Sequence, residues 1–586
     1  MIRITVGMGS CGIASGAKPI YRALEKITKN KKNIQVVKVG CIGICKYEPI
    51  VEIFEKERRT TYINVKKSDI EKIIKQHIKK GNIVEELLIS KKILNILDEP
   101  FIKQQNRIVL KNCGEVNPED INDYQKREGY EALKKILKED RKEILETIKK
   151  SKLRGRGGAG FYTGLKWESA FYQDSDIKYV CCNADEGDPG AFMDRAVLEG
   201  NPHSVIEAMI IAGYVIGSKE GYIYVRAEYP LAIERLKIAI KQAKEKDLLG
   251  KTILNSNFSF DIKLRFGAGA FVCGEETALI ESIEGKRGEP RKKPPFPTIK
   301  GLYNKTTLIN NVETYANIPS IILNGSEWFN NIGTEKSSGT KVFALAGNIN
   351  KTGLVEVPIG TTLKEIIYNI GGGISNNKNF KAAQTGGPSG GCIPNSLIDV
   401  KMDYEDLKEI GTMMGSGGLI IMDEDTCMPD IAKFFLGFTV DESCGKCTPC
   451  RVGTKQAYEI LNKITKGQAK EEDLKELEEL SIYIKENSFC GLGQSATNPI
   501  LSTLKYFRNE YIDHIQNEKC TAIKCKNLVK FVIDKESCIG CGVCYNNCPV
   551  NAIKKIDNKK YEIDQNKCIK CGICFSKCKF NSIKKI

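Results

Sequence analysis

The stretch from Arg154 to Arg195, RGRGGAGFYTGLKWESAFYQDSDIKYVCCNADEGDPGAFMDR, decides how the rest of the chain is interpreted. Its first part is dense in glycine, at Gly155, Gly157, Gly158 and Gly160. Glycine has no side chain, so its backbone N–H groups can approach a phosphate closely. Three of these glycines match G-x-G-x-x-G, but that motif should follow a strand, and here a helical pattern over residues 142–152 precedes it. Two interpretations are open: a non-Rossmann nucleotide loop, or a glycine loop that allows tight packing.

The second half of the stretch adds an acidic turn. Ile177 to Cys182 has the pattern of a buried strand, and the loop NADEGDPG follows from residue 183 to 190. Carboxylates are poor neighbours for phosphate but good acceptors for hydroxyl groups. The side chains suited to ribityl or ribose hydroxyls are Asn183, Asp185 and Glu186, with Asp188 close by. A solvated acidic turn is the alternative, and the neighbouring glycine loop makes it the weaker one.

Together, RGRGGAGFYTGLKW and CNADEGDPGAF identify a family resemblance. They resemble the flavoprotein subunit that admits NADH electrons to respiratory complex I. The chain looks closer still to the equivalent (beta) subunit of multimeric, often electron-bifurcating, NAD-dependent [FeFe]-hydrogenases. The resemblance runs over nearly the whole chain and implies FMN and NAD(H) in one pocket on a non-Rossmann scaffold.

The resemblance also implies roles for individual residues. Arg156 belongs to the glycine loop, and Lys166 matches a position over the flavin or its phosphate. The segment Gly274–Glu275–Glu276 would lie against the flavin and the nicotinamide ribose. Further matches are Phe161 and Phe296 for adenine stacking, Lys293 for the NADH phosphate, and Asn310, Asn311 and Thr314 for the FMN phosphate.

Composition limits the class of protein. A chain of 586 residues with 41% hydrophobic and 28% charged residues is expected to form several domains. The longest apolar run, Val205 to Ile216, includes Glu207 and is too short to span a bilayer, and the N-terminus lacks the plan of a signal peptide. We therefore expect a cytoplasmic protein that does not bind membranes. The net charge of +16 comes mostly from dispersed lysines, which argues against a nucleic-acid site; a basic face for an acidic carrier such as ferredoxin is an alternative.

The fold expected is multidomain α/β and α+β. The sequence patterns and the resemblance divide the chain as follows: 1–85, a thioredoxin-like domain; 86–150, a helical connector; 151–334, the non-Rossmann FMN/NAD(H) domain; 335–424, a ubiquitin-like β-grasp (SLBB-type) insert; 425–515, a helical bundle with a 4Fe–4S cluster; 516–530, a linker; 531–586, a bacterial 2[4Fe–4S] ferredoxin domain. In the first domain, strands are predicted at residues 2–6, 34–39, 50–54 and 61–65, and an amphipathic helix at 17–28.

The first domain also contains three cysteines, Cys11, Cys41 and Cys45. By resemblance they belong to a 2Fe–2S site, whose usual first pair is C-x4-C. Gly16 stands where the second cysteine is expected, and a 2Fe–2S cluster needs four ligands. Either a non-cysteine ligand or a neighbouring chain completes the site, or the cluster is absent.

Most of the 23 cysteines occur in C-x2-C series, which favours metal centres over disulfides. Cys444, Cys447 and Cys450 can hold one face of a 4Fe–4S cubane, and Cys490, in SFCGLGQS, is the candidate fourth ligand. The C-terminal repeat has two complete ferredoxin sets, Cys538, Cys541, Cys544 and Cys548, then Cys568, Cys571, Cys574 and Cys578. In this pattern the fourth cysteine of each set ligates the other cluster.

Other cysteines have less specific patterns. His514, Cys520 and Cys525 are spaced like ligands of a structural zinc ion, but no fourth ligand is visible and a plain linker is the alternative. Four further cysteines lack ligand spacing and are interpreted as structural core thiols: Cys113, Cys181, Cys182 and Cys273.

These sites predict an oxidoreductase, the diaphorase subunit of a hetero-oligomer. NAD(H) exchanges hydride, clusters take one electron at a time, and FMN converts between the two, so no general base is needed. By resemblance the partners are a hydrogenase-type catalytic subunit and a small 2Fe–2S subunit, with ferredoxin as a further candidate. The alternatives are the same module of a formate dehydrogenase or NAD(P)H:ferredoxin oxidoreductase, or a non-catalytic Fe–S relay.

Overall fold

The structure is a computed structural model that describes residues 1–56, 58–557 and 560–586. The chain divides into two compact units, Met1–Ile421 and Met422–Ile586. Among the described residues, no helix combines the length and apolar character needed to cross a membrane.

The first unit begins with a four-stranded sheet in the order β2-β1-β3-β4. β1 pairs in parallel with β2, and β3 is antiparallel to both β1 and β4. The predicted strands and hairpin of this region are therefore present. Their bounds are β1 (Ile2–Gly7), β2 (Ile34–Val39), β3 (Val51–Glu55) and β4 (Arg58–Tyr62), and the helices are α1 (Ser10–Ala14), α2 (Ala17–Thr28) and α3 (Ile70–Ile73).

The segment from residue 86 to 150 is less helical than expected. Its helices are α4 (Pro100–Lys103), α5 (Ile121–Gln125), α6 (Glu131–Ile136) and α7 (Arg141–Lys150). Between α4 and α5 the chain forms turns, because its backbone donors are satisfied from outside the segment. The buried carboxylate of Glu356 accepts hydrogen bonds from the N–H groups of Ile108, Val109 and Leu110, each at 2.9 Å. The prediction of a helical connector is wrong for residues 104–120.

A parallel sheet in the order β7-β6-β5-β8 forms the centre of the first unit. Its strands are β5 (Lys178–Ala184), β6 (Glu220–Arg226), β7 (Asp261–Gly267) and β8 (Thr306–Asn311). The accompanying helices are α8 (Thr163–Phe171), α9 (Met193–Gly200), α10 (Pro202–Ile216), α11 (Pro230–Glu245), α12 (Glu276–Ile283), α13 (Pro297–Lys300), α14 (Val312–Asn324) and α15 (Ser326–Asn330). The apolar run noted in the sequence lies within α10, a core helix that is buried on nearly every side.

Two features of this sheet determine where a ligand can bind. The carboxyl ends of β5 and β8 lie at the same edge because the two strands are parallel neighbours, and this brings Asn183 beside Asn310 and Asn311. The glycine loop lies between α7 and α8, before the first strand of the sheet. It therefore reaches the sheet edge from a helix, unlike the loop of a Rossmann unit.

A second, mixed sheet completes the first unit, in the order β10-β9-β13-β11-β12. Its strands are β9 (Thr340–Gly347), β10 (Gly353–Pro358), β11 (Phe380–Thr385), β12 (Cys392–Pro394) and β13 (Gly418–Asp423), and α16 (Tyr404–Glu409) lies between β12 and β13. Both strands expected from the sequence in this region, at 341–346 and 354–357, are present.

The second unit contains helices followed by two short hairpin-like pairs. The helices are α17 (Met428–Glu442), α18 (Thr454–Lys466), α19 (Glu471–Asn487), α20 (Gly491–Ser495) and α21 (Asn498–Gln516). The C-terminal repeat follows, with β14 (Phe531–Ile533), α22 (Val543–Asn546), β15 (Ile553–Asp557), β16 (Lys560–Ile563), α23 (Ile573–Lys577) and β17 (Ile583–Lys585). β14 pairs with β17 and β15 with β16, so the end of the second repeat folds back on the start of the first.

Candidate functional site

The glycine loop is closed by bonds across its base. The Gly155 N–H donates to the Phe161 carbonyl at 2.8 Å, and Arg154 Nε donates to the Gly160 carbonyl at 2.6 Å. Gly160 has a φ of +66°, and a Cβ there would lie 2.5 Å from the Tyr404 ring. Only glycine fits this position, because both the backbone conformation and the close ring exclude a side chain.

A cavity of about 500 Å³ opens beside this loop, within the size range of small-molecule sites. It is lined by fourteen of the nineteen residues that the sequence analysis nominated for cofactor binding: Gly155, Gly157, Gly160, Phe161, Lys166, Asn183, Gly274, Glu275, Glu276, Lys293, Phe296, Asn310, Asn311 and Thr314. Seven others complete the lining and were not singled out: Ala159, Thr163, Leu165, Ser169, Pro297, Thr298 and Ile309. These seven residues lie within or beside the motifs that were predicted to bind the cofactors, so the motifs indicated this part of the chain but not these individual residues.

Five nominated residues lie outside the lining: Arg156, Gly158, Asp185, Glu186 and Asp188. Arg156 is buried, and its guanidinium donates to the carbonyls of Arg154 and Ser338 at 3.0 and 2.7 Å. The Glu186 carboxylate accepts from the backbone N–H groups of Asp194 and Arg195. These groups therefore support the wall of the cavity from behind.

Two lysines and two glutamates form a lattice of ion pairs on one wall. Lys166 pairs with Glu276 at 2.9 Å, and Lys293 pairs with Glu275 at 2.9 Å and Glu276 at 3.3 Å. Burial raises the pKa of Glu276, but the two lysines outweigh it and hold that pKa below its usual value. Glu275 also caps α12, because its carboxylate accepts from the N–H groups of Thr277 and Ala278. The wall therefore presents fixed charges of both signs to a ligand.

The cavity lining also includes hydrogen-bond donors at the start of α14. Asn311 is the N-cap, and its Oδ1 accepts from the Thr314 N–H at 3.2 Å. Thr314 Oγ1 accepts from the Arg156 N–H at 2.8 Å, which leaves the hydroxyl hydrogen of Thr314 free to donate into the cavity. An amide, a hydroxyl and a helix N-terminus together form a suitable environment for an anionic group.

The mouth of the cavity is aromatic. Phe161 and Phe296 line it, yet their side chains are 59% and 52% exposed. Large exposed aromatic rings beside a cavity suit the stacking of a planar ligand. Polar donors inside and aromatic rings outside fit a molecule with a phosphate at one end and a ring system at the other.

The second unit brings together the predicted cluster ligands. Burial, together with the neighbouring thiols of Cys447, Cys490 and Cys444, raises the pKa of Cys450 to about 11. The Phe489 N–H donates to Cys447 Sγ at 3.5 Å, so the segment carrying Cys490 lies against the C-x2-C-x2-C loop. The predicted fourth cysteine is thus beside the other three.

The C-terminal repeat places six of its eight cysteines around one small apolar core, while Cys541 and Cys571 are exposed. Burial, then the nearby thiols of Cys568, Cys571 and Cys544, raise the pKa of Cys574 to about 11. Cys548 Sγ accepts from the Ala552 N–H at 3.2 Å, a contact typical of cluster thiolates. The two halves of the repeat meet, since α22 and α23 lie in contact.

A third group of ligands in the second unit is more compact. Cys427, His514, Cys520 and Cys525 are all buried, and their ligand atoms all lie within 4.8 Å of one another. Cys427 Sγ is 3.6 Å from Cys525 Sγ and 3.3 Å from His514 Nε2. A tetrahedral ion with Zn–S bonds of about 2.3 Å separates its sulfurs by about 3.8 Å. Local spacing predicted three of these ligands but not Cys427, which lies 87 residues before His514.

Cys11, Cys41 and Cys45 lie close to one another in the first unit. The Cys45 thiol donates a hydrogen bond to Cys11 and lowers the pKa of Cys11 to about 6. Cys41 is buried and accepts from the Gly43 N–H at 3.3 Å. Gly16 has a φ of +106°, and a Cβ at that position would face open space. Cys113, Cys181, Cys182 and Cys273 are buried in the core as expected, and so is Cys392.

A charged, donor-lined cavity on a parallel sheet, in the same chain as three clusters of four cysteines, defines an iron–sulfur nucleotide-binding protein. Four family models match the chain: "Nuo51 FMN-binding domain" over residues 148–320, "SLBB domain" over 342–393, "NADH-ubiquinone oxidoreductase-F iron-sulfur binding region" over 430–514, and "4Fe-4S binding domain" over 531–554 and 561–584.

Relatives of known class agree with these models. The chain is 58% identical over 451 residues to the NADP-reducing hydrogenase subunit HndC of Solidesulfovibrio fructosivorans, covering 77% of this chain and 92% of the relative. It is 44% identical over 414 residues to an F-type NADH-quinone oxidoreductase subunit of Rhizobium meliloti, covering 70% and 98%. The crystal structure of an NAD+-reducing [NiFe]-hydrogenase in the H2-reduced state matches with a TM-score of 0.63 at 27% identity, covering 88% of this chain and 84% of that one.

The chain therefore belongs to the NADH-quinone oxidoreductase F family. It is an oxidoreductase subunit with an FMN-binding, NADH-oxidising module and 4Fe–4S binding regions, related to a hydrogenase subunit. The resemblance found in the sequence is confirmed. The mixed, multidomain α/β fold with an SLBB domain and a ferredoxin-like region is confirmed at that level.

Proposed function

We propose that this chain exchanges hydride with NAD(H) at FMN and passes single electrons through its 4Fe–4S clusters to partner subunits of a hydrogenase. The observation that carries the proposal is the cavity, whose lining unites the glycine loop, the lysine–glutamate lattice and the α14 donors. When bound, FMN supplies the conversion between hydride transfer and single-electron transfer. The protein's residues bind and orient the two nucleotides, and none is needed as a general base.

The wall chemistry supports a role for each group. Asn311 and Thr314 offer donors to the FMN phosphate, and Asn310 stands beside them at the end of β8. The exposed rings of Phe161 and Phe296 support a role in stacking on adenine. Lys166 and Lys293 can exchange their carboxylate partners for phosphate oxygens, since those ion pairs are partly exposed.

Residues of the acidic turn and its start have supporting roles in this proposal. Asn183 is fixed by a 2.8 Å bond from Nδ2 to the Gly274 carbonyl, and the Asp185 N–H donates to its Oδ1. Asp188 accepts from the Ser416 hydroxyl. The acidic turn thus holds the glycine of the Gly274–Glu276 segment in place, and the hydroxyl-binding role expected for its carboxylates is left to Glu275 and Glu276.

The cysteine sets would hold three 4Fe–4S clusters. We assign one to Cys444, Cys447, Cys450 and Cys490, and two to the ferredoxin repeat, with Cys548 and Cys578 exchanged between the sets. The N-terminal domain is proposed to be thioredoxin-like, with Cys11, Cys41 and Cys45 forming a 2Fe–2S site completed by a ligand other than cysteine or by a neighbouring chain. The SLBB region is proposed as β-grasp and residues 425–515 as a helical bundle.

Cys427, His514, Cys520 and Cys525 are proposed as a structural zinc site. Four buried N and S ligands at tetrahedral spacing leave no open position, as in structural zinc centres. The site also has a suitable outer shell, since His514 Nδ1 lies 2.6 Å from the Glu510 carbonyl. That bond directs Nε2 toward the thiols.

We propose a cytoplasmic hetero-oligomer whose partners are a hydrogenase-type catalytic subunit and a small 2Fe–2S subunit, with electron bifurcation to ferredoxin. The identity to a hydrogenase subunit supports the first partner. Alternatively, the same module belongs to a formate dehydrogenase or an NAD(P)H:ferredoxin oxidoreductase. Identifying the proteins that co-purify with this chain distinguishes these complexes from a hydrogenase. Glu276 on the cavity wall favours NAD over NADP, because a carboxylate repels a 2′-phosphate.

The test is to purify the whole chain without oxygen and to measure flavin, iron, zinc and NADH-driven viologen reduction. We expect one FMN, one zinc and rapid dye reduction, with about 12 irons from three cubanes, or about 14 if the 2Fe–2S centre is present. Iron without flavin or NADH activity would contradict the proposal and favour an Fe–S relay.

A further inference from the structure

The side-chain amide of Asn311 is held at both ends. Its Oδ1 accepts from the Thr314 N–H at 3.2 Å, and its Nδ2 donates to Asp194 Oδ2 at 2.5 Å. A backbone N–H can only donate, so the oxygen of the amide must face Thr314. The amide of Asn311 thus has one orientation that satisfies both neighbours, and that orientation puts its nitrogen on the side of Asp194.

Asp194 is committed to this end of α14. Its Oδ1 accepts from the Glu313 N–H at 3.2 Å, so both carboxylate oxygens accept hydrogen bonds from the first residues around the helix start. Its own backbone N–H donates to Glu186 Oε1 at 3.0 Å, which fixes the start of α9. Asp194 is only 4% exposed and does not line the cavity.

The position of Asp194 is unfavourable for direct attraction of an anion. A carboxylate close to a phosphate repels it, and burial together with Glu186 and Glu313 raises the pKa of Asp194 well above its usual value. Burying the ionised carboxylate of Asp194 beside two other acids costs free energy, so we look for its contribution in a contact and not in its charge. Its contact with Asn311 provides that contribution, because one N–H of Nδ2 is bonded to Asp194 and the second remains for the cavity that Asn311 lines.

We infer that Asp194 is a positioning residue for the flavin site: it fixes the Asn311 amide so that an N–H, and not the carbonyl oxygen, faces the phosphate of FMN. The inference rests on the FMN site proposed above. Asp194 itself touches neither flavin nor nicotinamide. It determines which end of Asn311 the phosphate meets.

The first test uses the full-length chain after removal of its flavin, titrated with FMN and followed by flavin fluorescence. Asp194→Asn leaves one oxygen for two donors, the Asn311 Nδ2 and the Glu313 N–H, and Asn311 loses its partner when the Glu313 N–H keeps that oxygen. We expect the Kd for FMN to rise roughly 10- to 100-fold, the effect of losing a hydrogen bond to a charged group. Riboflavin, which has no phosphate, should bind wild type and variant alike. Asp140→Asn, at the exposed N-cap of α7, is the matched control and should change neither Kd.

The exchanged pair, Asp194→Asn with Asn311→Asp, separates positioning from stability. Asn at 194 can donate to Asp at 311, and Asp at 311 can still cap α14, so the melting temperature of the flavin-free chain should return to the wild-type value. FMN affinity should stay weak, because position 311 then presents only oxygens to the phosphate. Recovery of FMN affinity in the exchanged pair, or equal losses for FMN and riboflavin, would overturn the inference. Failure of the wild-type chain to bind FMN would instead refute the proposed site.

Discussion

Glu276 is the residue on which the charges of the cavity converge, since it pairs with both Lys166 and Lys293. Replacing its carboxylate with an amide removes a negative charge and releases two cations beside the expected ribose. The same lysines would then be free to meet an added 2′-phosphate. The choice between NADH and NADPH can therefore be tested at this single position.

We predict that Glu276→Gln raises the ratio of kcat/KM for NADPH to that for NADH by about tenfold, which is roughly 1.4 kcal/mol of differential binding. The measurement is viologen reduction by the holoprotein with each nucleotide. Glu281 lies on the same helix as Glu276 but outside the cavity lining, and it pairs with Arg291. The control variant Glu281→Gln should therefore leave the ratio unchanged. Equal losses with both nucleotides would mean that Glu276 does not face the ribose.

The compact ligand set, which consists of Cys427, His514, Cys520 and Cys525, gives a second prediction for single residues. Cys427→Ser should abolish zinc binding as completely as His514→Ala, because each removes one of four closed-site ligands. Zinc and iron are measured together on the same samples. Cys181→Ser, which alters a buried core thiol, should retain zinc. A Cys427→Ser protein with full zinc would show that the fourth ligand is another residue.

Single residues were predictable where local spacing carries the information. Ligand spacing identified His514, Cys520 and Cys525, but a partner 87 residues away, Cys427, has no local signature. The glycine loop and the NADE turn were recognisable as motifs, whereas the sequence could not reveal that Glu186 bonds backbone N–H groups behind the wall. Burial and the direction of a side chain depend on tertiary packing, which spacing does not encode.

Helices and strands were predictable where apolar residues recur at regular intervals and form one buried face. β1, β2 and α2 appear where alternation or helical periodicity placed them. The failure at residues 104–120 has a physical cause: the Glu356 carboxylate satisfies three consecutive backbone donors, and so removes the need for a helix. Such an acceptor, some 250 residues away, cannot be read from the segment itself.

Helix α10 contains a buried carboxyl group that links it to α5 and α6. Glu207 accepts from the Tyr124 hydroxyl at 2.7 Å and from the N–H groups of Tyr130 and Leu133. Burial raises the pKa of Glu207 from 4.5 to about 7. Below about pH 4.5 both folded and unfolded chains hold this proton, and between pH 4.5 and 7 only the folded chain does. Stability from this group therefore falls as pH rises through that window, by about 3 kcal/mol in all.

We predict that Glu207→Gln flattens the pH dependence of stability. Between pH 5.5 and 8 the melting temperature of the wild type should fall more steeply than that of the variant, since glutamine does not titrate. Release of FMN fluorescence reports unfolding of this unit. Glu131→Gln, at an exposed pair on α6, should follow the wild-type slope. Parallel slopes for wild type and Glu207→Gln would show that the carboxyl is not titrating in this range.

For the molecule as a whole, the last 22 residues have an unbalanced charge. From Gln565 to the C-terminus the chain has no acidic residue and contains the lysines Lys567, Lys570, Lys577, Lys579, Lys584 and Lys585. Ile569, Phe575 and Phe580 are about half exposed on the same segment, and Cys571 is exposed. Exposed apolar side chains, lysines and a predicted cluster cysteine on one segment suit the docking of an acidic electron carrier.

We predict that Lys567→Glu with Lys577→Glu slows electron transfer to an acidic ferredoxin at least tenfold at low ionic strength, and that the difference shrinks as salt is added. NADH-driven viologen reduction should be unaffected, because the small dye needs no docking surface. Lys554→Glu with Lys555→Glu on β15 is the charge-matched control. Equal effects of both pairs would indicate overall charge, and not a docking face.

The compact ligand set also closes a loop in the chain. Cys427 and Cys525 are 98 residues apart, so one ion holding both would tie the start of the helical region to its end. For a polymer, closing a loop of about 100 residues removes entropy from the unfolded chain worth roughly 4 to 5 kcal/mol, by the same reasoning used for disulfides. The C-x2-C-x2-C loop and Cys490 both lie inside that loop. An agent that strips only the ion should therefore loosen the iron-binding helices without touching a single iron ligand.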